Sequence, residues 1–153
     1  MPGSPAVLVV DIGGSRVKLF ASASGESASF RSGPTLDPDA LIDRVHARAA
    51  AWEYDVVSIG YPGPTGPGGV AGAAGNLGDG WTSFDFAGAF GRPVRVVNDA
   101  AMQALGAYDG GRMLFIGLGT GVGSTLVGEH VLIPLELGCL MRPCGHTLFE
   151  LLG

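Results

Sequence analysis

Apolar and polar positions alternate near the start of the chain in a way that predicts β-structure. Residues 6–10 form a continuous, largely β-branched apolar run, which is typical of a strand buried on both faces. Residues 16–20 alternate after a short turn and predict the returning strand of a hairpin. A third strand is predicted over 27–31, and an amphipathic helix over 40–53 has its apolar positions on one face. The chain therefore begins as a β-meander followed by a helix.

Strands and helices continue to alternate along the rest of the chain. The pattern predicts a buried strand over 55–60, a loop rich in Gly and Pro over 61–80, a short helix over 84–90, a strand over 94–97, a helix from 98 to 110, and strands over 113–116 and 124–127. Either Asp37 or Asp39 is suited to cap the first helix. This order predicts an α/β domain with a mixed sheet. A loop as long as 61–80 in a compact domain is more often functional than idle.

Composition and charge narrow the class of protein. A chain of 153 residues with 46% hydrophobic residues can bury a core. The net charge of −5, without a run of basic residues, argues against a nucleic-acid partner. No apolar stretch is long enough to span a membrane, and no positive region precedes residues 6–10, so neither a membrane protein nor a signal peptide is expected. Cys139 and Cys144 are expected as reduced thiols in the cytoplasm.

The turn after the first strand has the composition of a phosphate cradle. Residues 11–18 read Asp-Ile-Gly-Gly-Ser-Arg-Val-Lys and join the first two predicted strands. Glycines in such a turn let a ligand approach an arc of backbone N–H groups, which binds phosphate oxygens. The candidate phosphate-binding residues are Asp11, Gly13, Gly14, Ser15 and Lys18. Asp11 is also suited to hold Mg²⁺ through water, whereas the alternative interpretation is a hairpin turn without a ligand.

A second turn of this kind lies between the strands predicted over 113–116 and 124–127. Residues 117–124 read Gly-Leu-Gly-Thr-Gly-Val-Gly-Ser. No Lys follows in the position that a Walker A loop requires, and Val122 stands where a dinucleotide fingerprint has its third glycine. The candidate phosphate-binding residues are Gly117, Gly119, Thr120 and Gly121. Two such turns in one chain are more specific than either alone.

Asn98 and Asp99 stand between the strand over 94–97 and the following helix. Open α/β sheets place ligand-binding groups at such strand ends. A carboxylate there could act as the general base toward a substrate hydroxyl in phosphoryl transfer. The simpler alternative is that Asp99 only caps the helix.

Taken in order, these motifs resemble the ROK family of sugar kinases, and especially its smaller glucokinase and polyphosphate-glucokinase-like members. The segments that carry the resemblance are residues 11–18, residues 60–64 (Gly-Tyr-Pro-Gly-Pro), Asn76 with Trp81, residues 97–100 (Val-Asn-Asp-Ala), residues 117–124, and residues 134–138 (Pro-Leu-Glu-Leu-Gly). The resemblance implies an actin-like ATPase (ribonuclease H-like) fold with a mixed sheet, the N-terminal lobe of a two-lobed kinase. It also implies ATP or polyphosphate as donor, Mg²⁺, and phosphorylation of a hexose, glucose above all, at its 6-hydroxyl.

The resemblance also assigns roles to individual residues. Asp99 is expected to be the catalytic base. The residues expected to bind the sugar are Gly63, Pro64, Asn76, Asn98, Asp99, Glu136 and Cys139. The family has His where this chain has Cys139, and a thiol is a poorer hydrogen-bond donor than imidazole. The nearest candidate for a further sugar-contacting Glu is Glu150, displaced by one position.

The resemblance sets expectations for metal content and domain organisation as well. Many members carry a cysteine-rich zinc site, but Cys139, Cys144 and His146 supply at most three ligands, so no zinc is expected. Residues 1–133 are expected to form the N-terminal lobe and residues 134–153 the start of an incomplete second lobe. Because the family continues past residue 153, the chain alone is expected to be nearly inactive and to expose an apolar face that favours a homodimer.

Two other functions compete with a sugar kinase. A non-catalytic remnant would keep sugar or phosphate binding without turnover. A ROK-type transcriptional repressor needs a helix-turn-helix ahead of the first glycine turn, and only ten residues precede Asp11. The repressor is therefore not expected, and the remnant stays as the alternative.

Overall fold

The structure, a computed structural model, describes residues 3–119 and 122–152. Its contacts divide the chain into two compact units, Met1–Val97 and Asn98–Gly153. The lobe boundary that we expect between residues 133 and 134 lies within a strand of the second unit, Val131–Leu135, and stays a prediction about a two-lobed protein.

The first unit is built around one five-stranded sheet. Its strands are β1 (Val7–Ile12), β2 (Arg16–Ala21), β3 (Ser27–Arg31), β4 (Val56–Tyr61), β5 (Thr65–Gly66), β6 (Gly69–Val70) and β7 (Val94–Asn98), and its helices are α1 (Pro38–Arg48) and α2 (Phe86–Phe90). The strand order is β3-β2-β1-β4-β7, while β5 and β6 form a separate small hairpin. β1 pairs antiparallel with β2 and parallel with β4, so the sheet is mixed, as expected.

Side-chain burial alternates along the central strands and fixes which face is the core. Leu8, Val10 and Ile12 are completely buried, whereas the residues between them are half-buried. β2 repeats the pattern with buried Val17 and Leu19. These side chains form one hydrophobic cluster with the apolar face of α1 and the aromatic residues near α2, which places the core on one face of the sheet.

The second unit is smaller and antiparallel. It contains α3 (Asp99–Ala107), β8 (Met113–Leu118), β9 (Val122–Gly128), β10 (Val131–Leu135), a 3₁₀ turn at Leu137–Cys139, and α4 (Leu148–Leu152). The strand order is β10-β9-β8. α3 packs against β9, and a Cβ on Gly123 would lie 3.0 Å from the Cβ of Ala100, so this packing is close. Leu114, Ile116 and Leu118 on β8 are 53%, 52% and 68% exposed.

Helix α1 and strand β10 differ most from the sequence-based expectation. α1 ends at Arg48 instead of continuing to residue 53. β10 contains Pro134, which lacks a backbone donor and argues against a strand when only the sequence is considered. β10 is an edge strand, where proline is tolerated. Within the described residues, no helix is long and apolar enough to cross a membrane.

Of the two candidate caps for the first helix, Asp37 is the one used. Its Oδ1 accepts a hydrogen bond from the Ala40 amide at 2.8 Å, and Pro38 occupies the first turn. We therefore expect Asp37→Ala to lower the free energy of unfolding by about 1 kcal/mol, measured by urea denaturation. Asp39→Ala, the matched control in the first turn, should lower the free energy of unfolding by only about 0.3 kcal/mol. Equal losses in both variants would contradict the assignment.

Candidate functional site

The first glycine turn closes tightly at the end of β1. The Gly13 amide donates to the Arg16 carbonyl at 2.9 Å, and the Ser32 hydroxyl donates to the Gly13 carbonyl at 2.6 Å. A Cβ on Gly13 would lie 3.0 Å from the Arg16 carbonyl oxygen, so a larger residue would strain the turn. Gly13 therefore shapes the turn with its own amide engaged. Gly14 and Ser15 at its tip stay candidates for contacting a donor phosphate.

Charged groups of opposite sign face each other beside this turn. Asp11 on β1 pairs directly with Lys18 on β2 and with Gly60 on β4, and directly opposed residues in a sheet share a face. Asp11 is half-buried and Lys18 is exposed. Arg16, also exposed, stands opposite Arg31 on β3. The turn thus combines one carboxylate with a cationic rim, as a site for phosphates and Mg²⁺ requires.

Among the described residues at this turn, one carboxylate, that of Asp11, can serve as a ligand for a cation. Mg²⁺ keeps most of its water and is commonly held by one or two carboxylates together with substrate phosphates. Asp11 fits that chemistry. Among the residues that the structure describes, no three His, Cys, Asp or Glu side chains lie close enough together to hold a metal ion.

Tyr61 lies beneath the loops that follow β4. Its side chain is completely buried, and its hydroxyl donates to the Gly72 carbonyl at 3.1 Å. Burial raises the pKa of Tyr61 above its ordinary value, an effect that a backbone hydrogen bond with Ala74 partly offsets. The hydroxyl is therefore protonated at neutral pH and acts as a donor. The Tyr61 ring also packs against Trp81, with centroids 5.5 Å apart.

The two loop segments expected to bind sugar pack closely together. The Ala71 amide donates to the Pro64 carbonyl at 2.9 Å. A Cβ on Gly63 would lie 2.7 Å from Cε1 of Tyr61, and one on Gly72 would lie 3.1 Å from Cγ of Pro64. The structure therefore joins the segment containing Gly63 and Pro64 to residues 71–74. Asn76 is half-buried and lies two residues after the buried Ala74 and one residue before the buried Leu77.

Asn98 and Asp99 divide the roles of cap and carboxylate between them. Asn98 is the N-cap of α3, and its Oδ1 accepts from the Ala101 amide at 3.1 Å. Asp99 is the first residue of the helix, and its Oδ1 accepts from the adjacent Ala100 amide at 2.8 Å. The capping function thus belongs to Asn98, and the interpretation of Asp99 as the N-cap is wrong.

The second glycine turn joins β8 to β9. Gly117 is the penultimate residue of β8, and a Cβ there would lie 3.2 Å from Cε1 of Phe115. Gly119 is exposed and has open space around it. Thr120 and Gly121 lie outside the described residues. The two antiparallel strands that we expected on either side of this motif are present, and phosphate binding by these residues stays a prediction.

A buried hydroxyl anchors the segment expected to contact the sugar in the second unit. Ser124 Oγ donates to the Leu135 carbonyl at 2.9 Å and accepts from the Leu137 amide at 3.2 Å. Glu136 lies between these two contacts and is exposed. Cys139, also exposed, ends the following 3₁₀ turn. Sequence reasoning included Ser124 in the glycine motif without seeing this role, because the contact joins residues more than ten positions apart.

Glu150 participates in a capping box at the start of α4. Its Oε2 accepts from the Thr147 amide at 2.7 Å and from the Thr147 hydroxyl at 3.0 Å, and its own amide donates to that hydroxyl at 3.2 Å. The backbone hydrogen bond and then the side-chain hydrogen bond lower the pKa of Glu150. Capping is thus the role that the structure shows for Glu150.

The site residues are therefore distributed over the two units. The first unit holds Asp11, Gly13, Gly14, Ser15, Lys18, Gly63, Pro64 and Asn76, and the second holds Asn98, Asp99, Gly117, Gly119, Glu136 and Cys139. Within each unit, the residues lie on turns, loops and element ends that rigid strands support. This arrangement suits ligand binding more than structural packing.

The close contact at Gly63 can be tested by adding one methyl group. Gly63→Ala should lower the free energy of unfolding by about 1–3 kcal/mol in urea denaturation, because its Cβ would overlap the Tyr61 ring. Gly75→Ala is the matched control, since nothing lies within 4 Å of its Cβ position. An unchanged stability of Gly63→Ala would show that the loop moves freely away from Tyr61.

The capping box gives α4 a pH dependence. Because the pKa of Glu150 is lowered in the folded state, the ionised Glu150 carboxylate stabilises α4 at pH values above its ordinary pKa of 4.5. This stabilisation is lost as the pH falls through the lowered pKa. An NMR titration should show the Glu150 midpoint below 4.5 with parallel loss of helical shifts in α4. Thr147→Val should move the midpoint upward, and a midpoint that does not respond would contradict the assignment.

No family model and no curated protein matches the chain. Among solved structures, it is similar to the inorganic polyphosphate/ATP-glucomannokinase of Arthrobacter sp. strain KM, with 27% identity over 96% of this chain and 68% of that chain and a TM-score of 0.78.

Two further solved structures share the fold at lower identity. The ROK hexokinase of Thermus thermophilus is 22% identical over 95% of this chain and 59% of that chain, with a TM-score of 0.67. A ROK family protein from Streptococcus pneumoniae, solved in complex with sucrose, is 18% identical over 90% of this chain and 53% of that chain, also with a TM-score of 0.67. The chain thus spans between about half and two thirds of these proteins. It has the actin-like ATPase fold of the ROK sugar kinases, and the family resemblance that its motifs indicate is confirmed in structure.

Proposed function

We propose that this chain provides the phosphate-binding and sugar-binding residues of a sugar kinase. The proposed reaction transfers a phosphoryl group from ATP or polyphosphate to the 6-hydroxyl of a hexose, with glucose as the first candidate. The observation that carries the proposal is the combination of two strand–glycine–strand turns with the Asn98-Asp99 pair at the start of α3, on a fold shared with kinases. A fold alone would not indicate the reaction, but these residues match its requirements.

The first glycine turn is proposed to hold the donor phosphates. Lys18 and Arg16 are exposed cations that flank it, and Asp11 fits Mg²⁺ through water. When bound, Mg²⁺ would neutralise charge on the donor phosphates. Phosphoryl transfer depends on positioning and on stabilising charge, so backbone amides and cations suffice for this part of the site.

Asp99 is proposed to act as the general base. Its carboxylate would accept the proton of the sugar 6-hydroxyl while that oxygen forms a bond to the terminal phosphorus of the donor. The bond between this phosphorus and the bridging oxygen then breaks, and the shortened donor leaves with the electron pair. Asp99 directly follows the N-cap Asn98 at the end of β7, where open α/β sheets hold ligand-binding groups, and this position supports a chemical role.

The residues proposed to bind the hexose are Gly63, Pro64 and Asn76 in the first unit and Asn98, Glu136 and Cys139 in the second. Because the Asn98 carbonyl oxygen accepts from Ala101, its NH₂ group would be the donor to a sugar hydroxyl. Ser124 would hold the Glu136 segment in place through its two backbone contacts.

The assembly and location of the protein are also proposed. A homodimer is supported by the exposed apolar residues Leu114, Ile116 and Leu118 on the sheet of the second unit. The proposed location is the cytoplasm. The alternative function is a protein that binds sugar or phosphate without turnover. Cys139, an exposed thiol where the family has His, would weaken sugar binding in either case.

Replacing the proposed base separates these functions. Asp99→Asn keeps the size of the side chain and its place in α3 but removes the basicity, so glucose turnover by a full-length, two-lobed version should fall by about a hundredfold or more. The assay would couple glucose phosphorylation with ATP or polyphosphate and Mg²⁺. Asp109→Asn, an exposed carboxylate just after α3, is the control and should leave turnover unchanged. Glucose binding without turnover in the unsubstituted full-length version would favour the binding protein.

A further inference from the structure

We infer that Tyr61 is a positioning residue for the hexose, because its buried hydroxyl holds the Gly72 carbonyl and so fixes the loop that carries Asn76. The inference rests on the proposed function and adds to it a residue that the motif resemblance leaves without a role. Tyr61 itself is completely buried and does not touch the substrate.

The first argument is that one side chain supports both sugar-binding segments. The Tyr61 ring lies under Gly63, where an added Cβ would be only 2.7 Å from Cε1. Its hydroxyl, on the ring carbon bonded to Cε1, donates to the Gly72 carbonyl at 3.1 Å and makes a backbone contact with Ala74. Movement of the ring would therefore shift both segments together.

The second argument is that the contacts that hold residues 71–75 come mainly from the backbone, although the small side chain of Ala74 is buried in the core. They read Ala-Gly-Ala-Ala-Gly and include no long side chain to anchor them. The recorded backbone bonds are the Ala71 amide to the Pro64 carbonyl at 2.9 Å and the Leu77 amide to the Ala74 carbonyl at 3.2 Å. The Tyr61 hydroxyl acts at Gly72, between these two bonds. Without this hydrogen bond, the loop would have to become ordered when the sugar binds, and the cost of that ordering would weaken binding.

The third argument is that core packing does not require a hydroxyl at this position. Phenylalanine would fill the same volume against Trp81 and Gly63. A buried hydroxyl must lose its hydration, and its net contribution to stability is modest even when it is hydrogen-bonded. Since burial raises the pKa of Tyr61, the group is also unsuited to proton transfer at neutral pH. Fixing the loop is the remaining use of the hydroxyl.

The test compares two tyrosines that make the same kind of bond. Tyr61 donates to the Gly72 carbonyl at 3.1 Å, and Tyr108 donates to the Gly111 carbonyl at 2.9 Å, after α3. Glucose binding to the chain with Tyr61→Phe, with Tyr108→Phe and without substitution would be measured by calorimetry. Amide hydrogen exchange of residues 72–76 and thermal midpoints would be measured on the same samples.

We expect Tyr61→Phe to weaken glucose binding by about fivefold, the usual effect of one net hydrogen bond, and to speed exchange at 72–76. Tyr108→Phe should leave both unchanged. Unchanged glucose affinity in Tyr61→Phe would overturn the inference while leaving the proposed function intact. Failure of Tyr61→Phe to fold would also overturn it, because the hydroxyl would then support the core. Absence of glucose binding by the unsubstituted chain would overturn the inference together with its proposed substrate.

Discussion

The register of β1 is the constraint on which the first unit depends. Because β1 pairs antiparallel with β2 and parallel with β4, its alternation places Val10 and Ile12 in the core and Asp11 on the opposite face, between Lys18 and Gly60. A slip of one residue would bury the Asp11 carboxylate and expose apolar side chains, which costs far more than a displaced turn. The apolar core therefore fixes the position of the proposed phosphate site.

The loops beyond β4 and the segment beyond β10 are held by a different means. Each is tied to the sheet by one buried hydroxyl that contacts the backbone, Tyr61 at Gly72 and Ser124 at Leu135 and Leu137. Hydrogen bonds of this kind contribute little to overall stability but specify one loop geometry. This division lets a stable sheet carry segments whose conformation is suited to binding.

Periodicity was sufficient to predict the main strands, because burial on one face of a sheet leaves a direct trace in the sequence. It predicted β3 with its observed ends, and it predicted a helix after the strand over 94–97, although α3 ends at Ala107 instead of near residue 110. It missed β10, where Pro134 hides an edge strand, and could not choose between Asp37 and Asp39. The motifs identified the glycine turns, whereas the contact between Tyr61 and Gly72 depends on how a loop folds back, which local pattern does not encode.

Pro134 also determines how the exposed apolar sheet of the second unit could associate. Taken by itself, this three-stranded sheet has β8 and β10 as its edges. A strand that contains proline lacks one amide of the hydrogen-bonding ladder and is a poor template for another strand. Sheet extension would then be open at β8 alone, and two copies joined there would leave no good edge for a third. The geometry thus favours a closed pair over a growing fibre.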